Sequence, residues 1–165
     1  MTILRALMMT LVVGIGAGAA QAADVRPLPK ATISVAVSNP QTTTQDLLTA
    51  MNAERRAKGL RKLRLDPALS KAAQAHVNDM MRRQYFAHIS PEGARPIHRA
   101  AKQGYKGCLV AENLSCSWKS VELAMAGWMK SDGHSANLLN REMRDVGIGI
   151  GPNNLFVAVF AKPCR

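Results

Sequence analysis

The sequence predicts an α+β fold, with helices first and a small antiparallel sheet at the end. Segments with helical apolar spacing account for most of residues 44–140. Two β-type runs then close the chain: "DVGIGIG" alternates glycine with branched apolar residues, and "LFVAVFA" is rich in β-branched and aromatic residues. Strands that are grouped after helices are typical of an α+β domain, and 165 residues suit one such domain.

The first 22 residues are predicted to be a signal peptide. They contain one charged residue, Arg5, and an apolar run that ends in the small-x-small pattern Ala20-Gln21-Ala22. Cleavage after Ala22 is expected; an uncleaved N-terminal anchor is the alternative, but the run is short for a membrane span and lacks a basic flank. Residues 23–43 are predicted to be a linker with an extended piece at "TISVAV", which leaves residues 44–165 for the folded domain.

The chain carries a net charge of +11, and loss of Arg5 with the signal peptide would leave +10. Such a charge favours acidic partners. For an exported protein, periplasmic or extracellular, these would be anionic lipid, lipopolysaccharide or wall polymers, and no nucleic acid is expected in that compartment. A solvated basic surface that only aids solubility is the alternative.

Each helix of the domain has recognisable end signals. The first is predicted to begin at Thr44, which can cap it, and to end at Gly59. The second has Asp66 as its N-cap and Pro67 at its first position, and should run to about Gln84. Shorter helices are predicted at "ARPIHRAAKQG", "SVELAMAGWMKS" and "GHSANLLN".

The strands come late in the chain. A short strand is predicted at "AENLS". The run "DVGIGIG" places Val146, Ile148 and Ile150 on one face, and the turn "PNN" should join it to "LFVAVFA" as a hairpin.

Two of the four histidines are candidates for a site. His76 lies on the apolar face of the second helix, where a core histidine bonded to a backbone group is the simpler interpretation, and His98 is expected at the surface. His88 and His134 instead follow apolar helices in turn-rich segments. Glu112 lies between them in an apolar strand, and because a buried carboxylate needs partners, two imidazoles could supply them.

Here the sequence resembles the CAP superfamily, which includes the cysteine-rich secretory proteins, antigen-five venom allergens, plant pathogenesis-related proteins and SCP-like exported bacterial proteins. The segments "FAHISPEG", "AENLS" and "GWMKSDGHSANLLN" occur in the family order and are followed by "DVGIGIG". The early pattern Asn52-x-x-Arg55 also fits, so that the resemblance runs from about Leu47 to Pro163. It implies a three-layer α-β-α sandwich with a small antiparallel sheet and a cleft over that sheet.

The resemblance also implies which residues line the cleft. In the family these are two histidines and two acidic residues; His88, Glu112 and His134 match three of them, and the fourth position is Ser131 here. Ser131 is therefore expected to be only a polar neighbour in the cleft, while Asp132 would need a different backbone path to reach it.

Several chemistries remain open for this set. His88, Glu112 and His134 match a three-ligand zinc site with an open position, which could activate water. A metal-free Ser131–His134–Glu112 relay is conceivable, and a purely structural His-Glu-His cluster is a further interpretation. The family has no agreed enzymatic activity, whereas lipid, sterol and metal binding recur in it. The expected function is therefore that of a binding module for a metal ion or a small or lipidic ligand, with no catalytic residues assigned; a metal-dependent hydrolase that acts on peptides or cell-envelope material is the alternative.

The three cysteines allow at most one disulfide. Cys108 and Cys116 flank Glu112 in a segment predicted to be extended, so that about 26 Å would separate them, whereas a disulfide needs Cα atoms within about 7 Å. Cys164 is then the partner of one of them. An antiparallel arrangement, with Glu112 opposite Ala158, favours Cys108, and a parallel one favours Cys116. Because the resemblance implies antiparallel strands, a Cys108–Cys164 bridge is predicted, with Cys116 unpaired.

Overall fold

The structure, a computed structural model, describes residues 26–27 and 43–164. The predicted signal peptide and the "TISVAV" piece lie outside these residues and stay predictions. Within the described residues the helices are α1 Thr44–Ala57, α2 Pro67–Arg83, α3 Pro96–Lys102, α4 Val121–Lys130 and α5 Asp132–Leu139. The strands are β1 Arg26–Pro27, β2 Arg64–Leu65, β3 Tyr85–Phe86, β4 Gly107–Ser115, β5 Asp145–Gly151 and β6 Leu155–Pro163.

The central sheet has the strand order β2-β5-β6-β4. The hairpin β5–β6 is formed as predicted, and β4 is antiparallel to β6. The strand predicted at "AENLS" is longer than expected, since β4 begins at Gly107. Two-residue strands carry no periodic signal and were not predicted: β2 adds to β5 in parallel, and β1, which lies within the predicted linker, pairs antiparallel with β3.

The alternation of side chains along β6 divides the core into two layers. Phe156, Ala158 and Phe160 face the cluster built with α1, α4 and α5. Val157 and Val159 face the opposite cluster, which is built mainly with α2 and α3. Helices therefore cover both faces of the sheet, which confirms the α-β-α sandwich.

Helix α2 lies very close to β5 because that strand presents glycines to it. Val146 and Ile148 share one face, as predicted, and this face is toward α1, so that Gly147 and Gly149 face α2. A Cβ atom at Gly147 would lie 2.0 Å from the backbone carbon of Leu69. The glycine alternation thus sets the distance between helix and sheet.

The caps agree with the predicted helix starts to within one residue. Asp66 caps α2 through a 2.9 Å bond from the Leu69 amide to its carboxylate. The cap of α1 is Thr43 rather than the predicted Thr44: the Thr43 side chain accepts from the Asp46 amide, and the Asp46 carboxylate accepts from the Thr43 amide. This reciprocal pair is a capping box, which fixes the helix start one residue earlier.

A disulfide joins Cys108 to Cys164, with a Cα–Cα distance of 4.9 Å, and Cys116 is a free, half-buried thiol. The prediction is confirmed, although the strand register differs by one residue: Glu112 pairs with Val159, not with Ala158. The bridge ties the end of β6 to the start of the strand that carries Glu112.

No helix within residues 43–164 has both the length and the apolar character that crossing a bilayer requires.

Candidate functional site

Glu112 is the buried centre of the site. It lies in the middle of β4, and its side chain has no exposed surface. One carboxylate oxygen, Oε1, lies 3.0 Å from Nδ1 of His88, and the other, Oε2, accepts a 2.7 Å bond from the guanidinium of Arg99. Both oxygens of the buried charge therefore have a partner, as its burial demands.

The expectation that two imidazoles would be these partners was wrong in one respect. One partner is His88, but the second is Arg99, which was not predicted as a site residue. Arg99 is 11% exposed and also donates to the carbonyls of Ala94 and His88. The sequence of α3 does not indicate that Arg99 faces inward, because seven residues are too few to show which face of a helix is buried.

His88 is held in one orientation and is half exposed at the surface. It directly follows β3 and Ala87, at the predicted junction with the Ser-Pro-Glu-Gly turn. Its Nδ1 donates to Glu112, and 50% of its side chain is exposed. In the neutral ring this arrangement leaves Nε2 as the nitrogen with a lone pair.

Two asparagines attach the His134 segment to the strand of Glu112. Asn113 donates to the backbone carbonyl of His134 at 3.0 Å, and Asn137 donates to the carbonyl of Glu112 and to the side chain of Asn113. These are the scaffolding roles that a side-chain amide next to each site residue can take. They bring α5, which carries His134, against β4, which carries Glu112.

His134 is partly buried, and its ring lies 6.5 Å from that of Trp128, measured between centroids. Burial lowers its pKa, and the nearby His88 lowers that pKa further. This lowering favours a neutral His134, which is the form that can accept a proton or bind a metal.

Ser131 is half-buried and occupies the N-cap position of α5, but its hydroxyl forms no cap hydrogen bond. Its carbonyl instead accepts from the Ser135 amide at 2.8 Å. Within residues 43–164, no group of three or more His, Cys, Asp or Glu side chains is arranged to hold a metal ion.

His76 forms the inner wall of the site. It is 1% exposed, and its Nε2 lies 3.0 Å from the carbonyl of Ala87, the backbone partner predicted for a core histidine. The same nitrogen is 3.8 Å from Oε1 of Glu112, so the buried histidine also faces the site carboxylate.

Acid is expected to destabilise the fold through His76. Burial lowers its pKa below 6.5, and Arg99 opposes the raising effect of Glu112. Because the folded-state pKa is below the unfolded one, the unfolded chain takes up the proton first, and stability that is full above about pH 6.5 is lost as the pH falls. Urea unfolding at about pH 7.5 and about pH 5 measures the decrease in the free energy of unfolding between the two. This decrease should be smaller for His76→Gln than for the unchanged protein. The same loss in both would contradict this role, since His134 would then account for the dependence.

Known proteins match most of the folded domain. A family model described as "CAP: Cysteine-rich secretory protein family" matches residues 48–160. The Bacillus subtilis protein YkwD is 37% identical over 98 residues, which are 59% of this chain and 38% of YkwD. The chain thus spans well under half of the length of that relative.

Two solved structures share the fold. An extracellular protein containing an SCP domain from Bacillus anthracis has a TM-score of 0.68 at 26% identity, covering 76% of this chain and 45% of the other. An outer surface protein from Borrelia burgdorferi has a TM-score of 0.66 at 22% identity, covering 73% of this chain and 92% of the other.

Proposed function

The chain belongs to the cysteine-rich secretory protein family, and we propose that it is an exported binding protein whose cleft at His88, Glu112 and His134 takes a metal ion or a small or lipidic ligand. The orientation of His88 carries this proposal. A half-exposed imidazole, fixed through Nδ1 by a fully buried carboxylate, offers Nε2 to a ligand at the surface. A purely structural histidine would gain little from such exposure.

The predicted ligand set suits a divalent metal if one role is changed. Metal-binding histidines usually donate their other ring N–H to a carboxylate, which is the relation of His88 to Glu112. Because both Glu112 oxygens are already bonded, we assign His88 and His134 as direct ligands and Glu112 as the group that orients His88. Direct ligation by Glu112 would require its bond to Arg99 to break. A bound metal would supply Lewis-acid chemistry, which the alternative of a hydrolase requires.

Export is supported by the leader pattern of residues 1–22 and by the relatives. The Bacillus anthracis protein is described as extracellular and the Borrelia burgdorferi protein as an outer surface protein. The net charge of +11 suits a compartment whose surfaces are anionic.

Zinc is expected to bind more tightly at about pH 7 than at about pH 5, because imidazole must be neutral to coordinate a metal. Calorimetric titration of the untagged protein measures this. His88→Ala should weaken binding by about tenfold or more, whereas His98→Ala, which removes an exposed histidine elsewhere, should leave it unchanged. Equal affinity at both pH values, or no binding at either, would exclude a metal as the ligand and leave a small or lipidic ligand as the proposal.

A further inference from the structure

A second concave site lies beside the residues that contact Glu112, between α2 and α3. Helices α2 and α3, with the loop of residues 90–94, enclose a groove of about 660 Å³. This volume is in the range of ligand sites, roughly 300–1,000 Å³. Neither His88 nor His134 lines it, but His76 and Arg99, which contact Glu112, do.

The shape of the groove suits an extended chain. Its α2 wall runs from Ala72 to Arg83, a distance of about 16 Å at the helical rise per residue. This length matches about five residues of extended peptide. Small side chains, Ala72, Ala75 and Ala94, line the groove and leave room for a backbone, while Asn78 and Gln103 supply amides that can bond to one.

The charge of the groove favours an acidic occupant. Four cationic side chains and two carboxylates line it: Arg82, Arg83, Arg99 and Lys102 against Asp79 and Glu92. Because the charge of Arg99 is already paired with the buried Glu112, an excess of one positive charge remains. The two carboxylates are occupied by Arg82 and Arg83. Within residues 43–164, Lys102 has no acidic partner, and the buried Nε of Arg99 has no acceptor. Because that Nε is buried, Lys102, which is exposed on α3, is the group that an anion in the groove can reach.

We infer that this groove binds a short acidic peptide, with a carboxylate anchored at Lys102. The occupant is distinct from any ligand of the histidine cleft. The Arg83–Glu92 ion pair joins the loop to α2, and Lys102 is exposed.

The test uses a fluorescein-labelled peptide of about five residues with alternating Glu and Ala, and a matched Gln-Ala peptide. Fluorescence anisotropy with the full chain at about 0.15 M salt should show saturable binding of the acidic peptide and at least about tenfold weaker binding of the neutral one. Lys102→Glu should weaken acidic-peptide binding by about tenfold or more. Lys130→Glu makes the same charge change on an exposed lysine of α4 and should alter binding less than about twofold.

Three results would overturn the inference. Equal losses in the two lysine variants would mean general attraction to a basic protein. Loss of binding in His88→Ala would place the peptide in the histidine cleft, and a failure to prefer the acidic peptide would remove the site altogether. Zinc binding at His88 does not depend on Lys102, so the outcome for the groove and the outcome for the proposed function are read separately.

Discussion

Arg55→Met is expected to lower the free energy of unfolding by about 3 kcal/mol or more, the sum of several lost charge-assisted hydrogen bonds. Arg55 is fully buried in the last turn of α1. Its guanidinium donates to four backbone carbonyls, those of Arg61, Leu138, Asn140 and Met143. None of these contacts involves a carboxylate. The charge is instead stabilised by carbonyls at and beyond the C-terminal end of α5, where the helix dipole is negative.

The loss of stability in Arg55→Met comes from the carbonyls that no longer have a donor. Methionine fills a similar volume but donates nothing, so the buried carbonyl of Leu138 would lose this donor. Arg55→Lys should rescue only part of the stability, because an ammonium cannot reproduce the planar fork of donors. Arg56→Met, at the exposed neighbour, should change stability by less than about 0.5 kcal/mol. Urea unfolding measures all three, and equal stability of Arg55→Met and Arg56→Met would contradict the role of Arg55.

The sequence predicted best those elements whose signals are local. The Asp66–Pro67 start of α2 and the glycine alternation of β5 are read within a few residues, and both agree with the structure. The strands β2 and β3 could not be predicted, because two residues have no period and pair only through distant partners.

The same division holds at the site. His88 and Glu112 were found because each is unusual in its own segment, a histidine at a turn and an acid among apolar residues. Arg99 was missed because its importance depends on a contact across 13 residues with a carboxylate on another element. Sequence spacing does not encode which charged residue of a short helix turns inward; the packing of α3 against β4 decides it.

Gly147→Ala is expected to destabilise the fold by about 3 kcal/mol, at the upper end of the cost of overpacking. The new methyl carbon would lie 2.0 Å from the carbonyl carbon of Leu69 and 2.4 Å from the amide nitrogen of Ser70, both backbone atoms that no rotamer change can move. Helix α2 would therefore have to move off the sheet, and the buried contacts of Leu69 and Ala73 with β6 would loosen.

The matched control for Gly147 is another glycine of the same chain. At Gly133, in α5, an added Cβ meets nothing within 4 Å, and alanine favours a helix by up to about 1 kcal/mol over glycine. Gly133→Ala should therefore leave stability unchanged or raise it, while Gly147→Ala lowers it, in thermal and urea unfolding. Because α2 also carries His76 and leads into His88, its displacement should reach the site, and zinc affinity should fall in Gly147→Ala but not in Gly133→Ala. If both variants unfolded like the unchanged protein, the close approach of α2 to β5 would not be what positions the site.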